Sequence, residues 1–533
     1  MKQPCDEAVL RTGISLASCR AESLPWILVA TILGSSMAFI DGTVVNVALP
    51  ALQANFHATV VDVQWVVESY GLFLSALILV GGALGDSVGR RAMFLTGVAV
   101  FAIASVGCGF SSSIRTLVAW RCVQGIGAAF QVPGSLAIIS ASFDEKSRGK
   151  AIGTWSGFTA ITTALGPVLG GWLIEHASWH WVFFINVPLA LGVIAISLWH
   201  VPESHSAVPQ RVDWLGGLIA TAGLGGVVYG FLESATLGWR DPRVAVSLIG
   251  GCAALVLFLY VESHISAPMV PLWMFKSRTF SGANLLTLLL YAALGIFFFL
   301  FPLNLIQIQG YSATATGAAS LPAILILFSL SRWSGGLVAR YGPRTPLIVG
   351  PVIVAAGFLL FTVPSEGVDY WATFLPAFTV LGFGMAISVA PLTTVVMSSV
   401  QQDRAGTASG INNAVARVAG VLAVAVLGVV MVEAFGDSLH HRLVSLGLEN
   451  GVVRDLLSKA IQLGGIDVPP GLDQKTAGAI RFALNHASVF GFRVIMLICM
   501  GLALASSGVA AWTISSRTSE AARKSKALPR FSI

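Results

Sequence analysis

The chain has 533 residues, of which 55% are hydrophobic and only 11% are charged, and its mean hydropathy is +0.81. This balance excludes a soluble globular protein and indicates a chain embedded in a lipid bilayer. The net charge of +6 is modest and the six cysteines form no CxxC pair, so no nucleic-acid partner, zinc site or disulfide framework is indicated.

Apolar windows of about 20 residues, the length that crosses the hydrocarbon core, recur along the chain. They predict fourteen spanning helices, at 26–49, 63–85, 92–111, 116–140, 151–174, 181–200, 213–233, 244–263, 279–303, 314–338, 345–363, 371–397, 405–432 and 487–513. Residues 1–24 form a polar tail, and the first apolar run is longer than a signal-peptide core, so we expect it to be retained. We expect no appended soluble domain.

Lys and Arg in the short loops predict the orientation, because these residues resist crossing the membrane. Eleven of them fall in the loops from even to odd helices and three in the opposite loops. Both termini are therefore expected in the cytoplasm, where the basic tail at 514–533 would contact lipid headgroups. The net positive charge is thus explained by the orientation of the chain in the membrane.

Two stretches suggest that the chain contains a duplication. Residues 82–91, "GALGDSVGRR", resemble residues 335–344, "GGLVARYGPR", at an offset of 253, and "GIGAAFQV" from Gly125 resembles "GFGMAISV" from Gly382 at an offset of 257. The matches fall on equivalent helices of a six-helix unit only if helices seven and eight are an insert between two halves. The predicted architecture is all-α and 6+2+6.

This architecture divides the chain into an N-terminal half at 25–200, an inserted helix pair at 201–265 and a C-terminal half at 266–513. The long outward segment at 433–486 has amphipathic helical spacing, which fits either a hairpin over the outer mouth or a loosely packed surface loop. Duplicated helical halves around a pseudo-twofold axis are typical of alternating-access transporters, whose binding site lies near the midplane.

Charged residues inside the membrane are costly and are therefore functional candidates. Asp41 in helix one, Glu68 in helix two and Arg121 in helix four are predicted at a similar depth, roughly 8–14 Å below the outer surface at about 1.5 Å per residue. One alternative is a fixed structural ion pair. The other is proton exchange, because two acids and one arginine leave a carboxylate spare for a proton or a cationic ligand.

Further interior candidates are a charged residue near the middle of helix thirteen, Arg417, and several neutral polar residues. Interhelical hydrogen bonding is the expected role of most of the neutral ones. They are Asn46, Gln124, Gln131, Asn186, Asn412 and Asn413.

Five motifs together resemble the major facilitator superfamily, and within it the fourteen-helix drug:proton antiporter branch. "GALGDSVGRRAMF" is similar to the loop between helices two and three, "RCVQGIGAA" to the helix-four motif and "ALGPVLGGWL" to the helix-five motif of antiporters. "IDGTVVNVALP" resembles the helix-one motif of the fourteen-helix branch, and "WVFFINVPLA" at the start of helix six also fits this branch. The resemblance covers essentially the whole chain.

The resemblance implies roles for individual residues. Asp41 would be the proton or cation site, and Arg121 would take part in proton transfer. An inner gate that locks the two halves would be formed by Gly85, Asp86, Gly89, Arg90 and Arg91. The helix-five antiporter motif would comprise Gly166, Pro167, Gly170 and Gly171.

The resulting expectation is a proton-coupled exporter of amphipathic, cationic drugs or antiseptics in a bacterial cytoplasmic membrane. It would be no enzyme and would need no bound cofactor, since the proton gradient drives it. Its partners would be protons, membrane lipid and small amphipathic molecules, and the sequence identifies no periplasmic adaptor. The alternative is a proton-linked importer or exporter of a specific metabolite or lipid on the same fold.

Overall fold

The computed structural model describes residues 23–143, 145–205, 212–265, 268–365, 369–400, 405–446, 450–466 and 473–515, together with residues 448, 468 and 469. The predicted cytoplasmic tails, apart from residues 23, 24, 514 and 515, lie outside the described residues.

The described part of the chain is helical throughout. The first half comprises α1 Leu24–Phe56, α2 Val60–Val88, α3 Arg90–Gly109, α4 Ile114–Ser142, α5 Glu145–His176, α6 Trp181–Phe184 and α7 Asn186–His200, and the inserted pair comprises α8 Trp214–Leu237 and α9 Pro242–His264. The second half comprises α10 Arg278–Gln307, α11 Ala313–Ala319, α12 Leu321–Gly335, α13 Leu337–Tyr341, α14 Arg344–Leu360, α15 Phe374–Ser398, α16 Ala405–Ser445, α17 Asn450–Ser458 and α18 Gln474–Thr513. Short 3₁₀ helices lie at Leu272–Lys276 and Ala460–Gly465.

The predicted spans all have a counterpart. Thirteen helical segments of the described residues are long and apolar enough to cross a membrane, and the shorter apolar helix Arg344–Leu360 matches the eleventh predicted span. Several helices have a polar capping residue at their N-terminus, close to where the apolar run starts. Thr59 and Asp62 form a capping box for α2, for example, so that backbone donors at the helix start are satisfied.

The two halves repeat the same helix pairings, which confirms the predicted pseudosymmetric fold. In the first half α2 and α3 pack on α4, while α5 and α7 pack on α1. In the second half α12 and α14 pack on α15, while α16 and α18 pack on α10. The halves meet where α2 contacts α16, where α5 contacts α11 and α12, and where α1 contacts α10.

Glycines at the repeat positions make the same close contact in both halves. A Cβ on Gly97 of α3 would lie 2.8 Å from the carbonyl oxygen of Gly127 of α4. A Cβ on Gly350 of α14 would lie 3.2 Å from the carbonyl oxygen of Gly384 of α15. Gly350 and Gly384 stand at the offsets of 253 and 257 found in the sequence. Small residues that let helix backbones approach explain why these glycines recur.

The inserted pair lies beside one boundary between the halves. α8 contacts α2 and α16, and α9 packs against α8. The membrane-sized window of α9 is only 11% buried within the protein. The inserted pair therefore lies at the periphery of the bundle. The helices around the predicted midplane site belong to the two halves.

The long segment predicted at 433–486 is largely helical where the structure describes it. α16 continues to Ser445 and α18 begins at Gln474, so both helices extend well beyond their apolar spans. Hydropathy ends where a helix becomes amphipathic, whereas the backbone continues to be helical. Between them, Leu463 and Gly464 pack near Gln307 and Ile308 at the end of α10, which favours the hairpin alternative for this segment.

Candidate coupling site

Asp41 of α1 lies at the centre of a buried polar network in the first half. Its side chain is fully buried, and Arg121 of α4 donates to its Oδ2. Gln124 donates to Oδ1 over 2.8 Å, and Asn186 of α7 donates to the same oxygen over 3.3 Å. The carboxylate thus has an ionic partner and two amide donors, as a buried charge requires.

Arg121 is itself held from several sides. Its Nε donates to the carbonyl oxygen of Val66 over 2.9 Å, and its Nη1 donates to Gln124 over 2.7 Å. Its guanidinium carbon lies 4.3 Å from the ring centroid of Tyr70, in cation–π geometry. These contacts fix the orientation of the guanidinium toward Asp41.

Two further residues complete the network and were not among the sequence-based candidates. Ser105 of α3 accepts from Gln124 over 2.9 Å and from Asn186 over 3.3 Å. Tyr70 supplies the ring over Arg121 and donates through its hydroxyl to the carbonyl oxygen of Ala38 over 3.0 Å. Serine and tyrosine are common in apolar helices, so the sequence carries no signal that would have singled out these two residues.

Glu68 does not join this network, although its depth in α2 is similar. Its side chain is 1% exposed, and its Oε2 is buried without a hydrogen-bond partner among the described residues. Gln64 and Gly71 lie one helical turn to either side of Glu68, and both face α16. Gln64 donates to the carbonyl oxygen of Val424. A Cβ on Gly71 would lie 2.9 Å from Val421. Glu68 therefore lies at the boundary between the halves.

The predicted inner-gate residues make their contacts within the first half and with the segment that directly follows it. Asp86 accepts from Arg90 over 2.8 Å, one helical turn away. The side chain of Arg91 donates to the carbonyl oxygen of Val201, and its backbone N–H donates to Glu203 over 2.9 Å. Glu203 was missed by the sequence analysis and caps the start of α3.

The glycines of this gate have different roles. Gly89 has φ +136°, and Gly342, its equivalent in the repeat, has φ +76°, a region that favours glycine. Both glycines turn the chain between two membrane helices. A Cβ on Gly85 would meet no atom within 4 Å, so this position is open in the present conformation.

The helix-five motif joins the first half to the second. A Cβ on Gly166 would lie 2.3 Å from the Thr43 hydroxyl, and one on Gly170 would lie 2.2 Å from Val44. Both contacts are with α1, close to Asp41. On its other side the motif faces α11, where a Cβ on Gly171 would lie 2.3 Å from the Ala313 carbonyl oxygen. The Pro167 carbonyl oxygen lies 2.2 Å from the position of a Cβ on Gly317.

The remaining polar candidates are dispersed. Asn412 of α16 donates to Asn284 over 3.2 Å and to Thr287 over 2.6 Å, both on α10, as expected for interhelical bonding. Asn413 donates to the carbonyl oxygen of Ser409 over 3.0 Å, within its own helix.

Three other candidates have less complete bonding. Asn46 Oδ1 and both polar side-chain atoms of Gln131 are buried without a partner in the described part of the chain. Arg417 lies near Phe39 of α1, at the boundary between the halves. Among the described residues, no group of three or more His, Cys, Asp and Glu side chains could hold a metal ion.

The fold and the paired helical halves define a polytopic membrane transporter. A family model described as "Major Facilitator Superfamily" matches residues 31–424. The chain belongs to the major facilitator superfamily, which confirms the resemblance seen in its motifs. It is a transporter and not an enzyme.

Curated relatives support the same assignment. The chain is 30% identical to the "Tetracenomycin C resistance and export protein" of Streptomyces glaucescens, over 95% of this chain and 94% of the relative. It is 32% identical to the "Multidrug resistance protein Stp" of Mycobacterium tuberculosis, over 88% of each. It is 34% identical to the "Puromycin resistance protein pur8" of Streptomyces alboniger, over 76% of this chain and 81% of the relative.

Solved structures show the same fold. A bacterial homolog of the human lysosomal transporter Spinster, inward-facing and unoccupied, superposes with a TM-score of 0.63 at 17% identity, covering 93% of this chain and all of the other. The inward-open xylose transporter XylE of E. coli gives a TM-score of 0.53 at 14% identity, covering 93% and 98%.

Proposed function

We propose that this protein is a proton-coupled antiporter that exports amphipathic drugs or antiseptics across the bacterial cytoplasmic membrane by alternating access. Both termini would lie in the cytoplasm, and the proton gradient would drive transport without a bound cofactor. The names of the relatives, which refer to drug resistance and export, support the substrate class. The helix-five motif resembles that of antiporters and supports the direction.

The observation that carries the proposal is the contrast between two buried carboxyl groups. Asp41 has a cationic partner in Arg121, whereas Glu68 Oε2 has no hydrogen-bond donor among the described residues. An ionised carboxylate buried without a partner costs several kcal/mol, so such a group holds its proton instead. Glu68 is therefore the proton carrier in this proposal, and Asp41 with Arg121 is the fixed frame beside it.

The position of Glu68 explains how the proton could be coupled to movement. Glu68 is covered by the contact between α2 and α16, which belong to different halves. When the halves rock apart at this boundary, water reaches the carboxyl group and the proton can leave. When they close again, burial favours the neutral acid. Proton binding and release would thus alternate with the two states of the transporter.

The experiment uses everted membrane vesicles that are energised by respiration and report their pH gradient through a fluorescent dye. Cationic, neutral and acidic amphiphiles are added in turn, and release of the gradient is recorded. The variants are Glu68→Gln and Asp41→Asn. Asp455→Asn is the matched control, because Asp455 pairs with Lys459 in an exposed segment and should leave exchange unchanged.

Wild-type vesicles should lose part of the gradient when a substrate is added. Glu68→Gln should abolish this release while the protein is still present in the membrane and remains as stable as wild type. Asp41→Asn should reduce both release and stability, since it leaves Arg121 without its counterion. If no amphiphile releases the gradient in wild-type vesicles, or if Glu68→Gln exchanges as well as wild type, the proposal is wrong.

A further inference from the structure

Arg417 is a membrane-embedded cation at the boundary between the two halves. It lies on the same face of α16 as Val421 and Val424, at spacings of four and three residues, and these two valines contact α2. Its guanidinium carbon lies 5.7 Å from the ring centroid of Phe39 on α1. Helices of both halves therefore surround this side chain, near the level of the Asp41 network.

Arg417 differs from three other arginines of the described membrane helices, Arg121, Arg344 and Arg493, in having no polar partner among the described residues. Arg121 pairs with Asp41, Arg344 donates to the carbonyl oxygen of Ala511, and Arg493 donates to that of Pro364. Within the ranges that the structure describes, Arg417 forms neither an ion pair nor a hydrogen bond. Its guanidinium lies against the Phe39 ring and near Tyr70.

An unpaired guanidinium between the halves is available to a counterion from elsewhere. Arginine cannot lose its proton in a protein, so it cannot become neutral as a buried carboxyl group can. Asp41 is already occupied by Arg121 and two amides, and Glu68 does not pair with Arg417 in this conformation. The charge would be satisfied by an anionic group that enters between the halves.

The surroundings indicate what kind of anion fits. Arg417 and Phe39 are both partly exposed, so a molecule between the halves can reach the guanidinium and the ring together. Asn413, one helical turn away on the same face, is exposed and can add an amide hydrogen bond. A guanidinium binds carboxylates with two parallel hydrogen bonds, and an aromatic ring stacks planar groups.

We propose that Arg417 recognises an acidic group of the transported compound, so that the preferred substrates are amphipathic aromatic acids. This inference rests on the proposed export function and narrows its substrate class. It replaces the cationic substrates expected from the sequence, because a cation at this site would be repelled by Arg417. Arg417 is the residue that determines the charge of the substrate, and Phe39 orients the ring beside it.

The test measures binding to the purified full-length protein in lipid nanodiscs by equilibrium dialysis, with empty nanodiscs subtracted. The probes are 9-anthracenecarboxylate, 9-anthracenecarboxamide and 9-anthracenemethylammonium, which carry negative, zero and positive charge on the same ring system. The variants are Arg417→Gln, which removes the charge, and Arg417→Lys, which keeps the charge but lacks the planar guanidinium group. Arg340→Gln is the control, since Arg340 is exposed near Tyr341.

Wild type should bind the carboxylate about tenfold or more tightly than the carboxamide, as expected for a charged hydrogen bond. Arg417→Gln should lose this preference but still bind the carboxamide, which shows that the variant is folded. Arg417→Lys should keep part of the preference, and Arg340→Gln should keep all of it.

The inference is overturned if wild type binds the carboxylate no more tightly than the carboxamide. It is equally overturned if wild type binds neither compound. It is also overturned if Arg417→Gln retains the preference for the carboxylate. Loss of proton exchange by the same variant in vesicles would then indicate that Arg417 acts on the proton site. Binding in nanodiscs needs no proton gradient. Failure of the export proposal in vesicles can therefore be told apart from failure of this inference.

Discussion

The two halves of this transporter share a backbone plan but differ in chemistry at equivalent positions. Counting with the repeat offsets, Ser105 corresponds to Phe358 and Arg121 corresponds to Phe378. The first-half residues belong to the buried polar network around Asp41. The second-half residues belong to a cluster of phenylalanines, in which Phe297 contacts both Phe358 and Phe378 with ring centroids 5.7 and 5.9 Å apart.

This difference shows that duplication preserves the helix packing while each half takes a separate role. The glycine contacts between the third and fourth helices persist in both halves, so the frame is the same. The first half holds three buried ionisable side chains, Asp41, Glu68 and Arg121. The second-half cluster has no titratable group among its six rings, and it forms a buried apolar core. The six are Phe297, Phe301, Phe358, Phe361, Phe374 and Phe378.

The largest expected effect comes from breaking the network at its cation. Arg121→Met would leave the Asp41 carboxylate buried without its ionic partner and should destabilise the protein by about 3–5 kcal/mol. The measurement is the thermal unfolding midpoint of the purified protein in detergent. The double variant Asp41→Asn with Arg121→Met should recover most of this loss. A single variant as stable as wild type would show that the pair is not needed to hold the first half together.

The equivalent change in the second half should affect stability alone. Phe378→Ala removes a fully buried ring from the centre of the cluster and should cost about 3 kcal/mol through the cavity it leaves. Proton exchange in vesicles, measured across a range of pH, should keep its pH dependence. Phe378→Leu, which fills most of the space, should have a smaller effect. A displaced pH profile in Phe378→Ala would contradict the division of roles between the halves.

The shared frame predicts matched effects at the repeated glycines. Gly97→Ala and Gly350→Ala would each place a methyl group within 3 Å of atoms in the neighbouring helix, and each should destabilise by about 1–3 kcal/mol. Gly153→Ala is the control, since a Cβ there meets nothing within 4 Å. The unfolding midpoint of each variant is compared with wild type. A large effect in only one half would argue against equivalent packing.

The smallest effect is expected at the edge of the network. Ser105→Ala removes hydrogen bonds to Gln124 and Asn186 and should cost about 1 kcal/mol. Exchange should be weakened but still measurable, because Arg121 continues to hold Asp41. Thr96→Ala is the control, since the exposed Thr96 bonds only to a carbonyl of its own helix. Loss of exchange in Ser105→Ala would give Ser105 a larger role than its contacts indicate.

Much of the fold follows from the sequence because hydropathy and glycine spacing act locally. Fourteen apolar runs and two repeated motifs were enough for the helix count and the two halves. The ends of α16 and α18 could not be placed this way, because an amphipathic helix above the membrane has no apolar signal. Glu203 was missed for a related reason: it caps α3 from a loop far away in the chain.

The candidate site was predicted only in part from the sequence. What the sequence analysis lacked was the direction in which each side chain points around its helix axis. Counting residues from the helix ends gives depth, and depth brought Asp41 and Arg121 together correctly. Depth does not give the direction in which a side chain points around its helix. Glu68 and Tyr70 differ by two residues, so at 3.6 residues per turn they point roughly 160° apart. Tyr70 therefore faces Arg121, and Glu68 faces the second half.

The central claim is that Glu68 carries the exchanged proton while Asp41 is held by Arg121. The most direct measurement is proton release from the purified protein in weakly buffered detergent solution, followed with a pH indicator as an exported compound is added. Wild type should release protons on binding, and Glu68→Gln should release none while it still binds the compound. Proton release from Glu68→Gln equal to that of wild type would contradict the claim and return the role to Asp41.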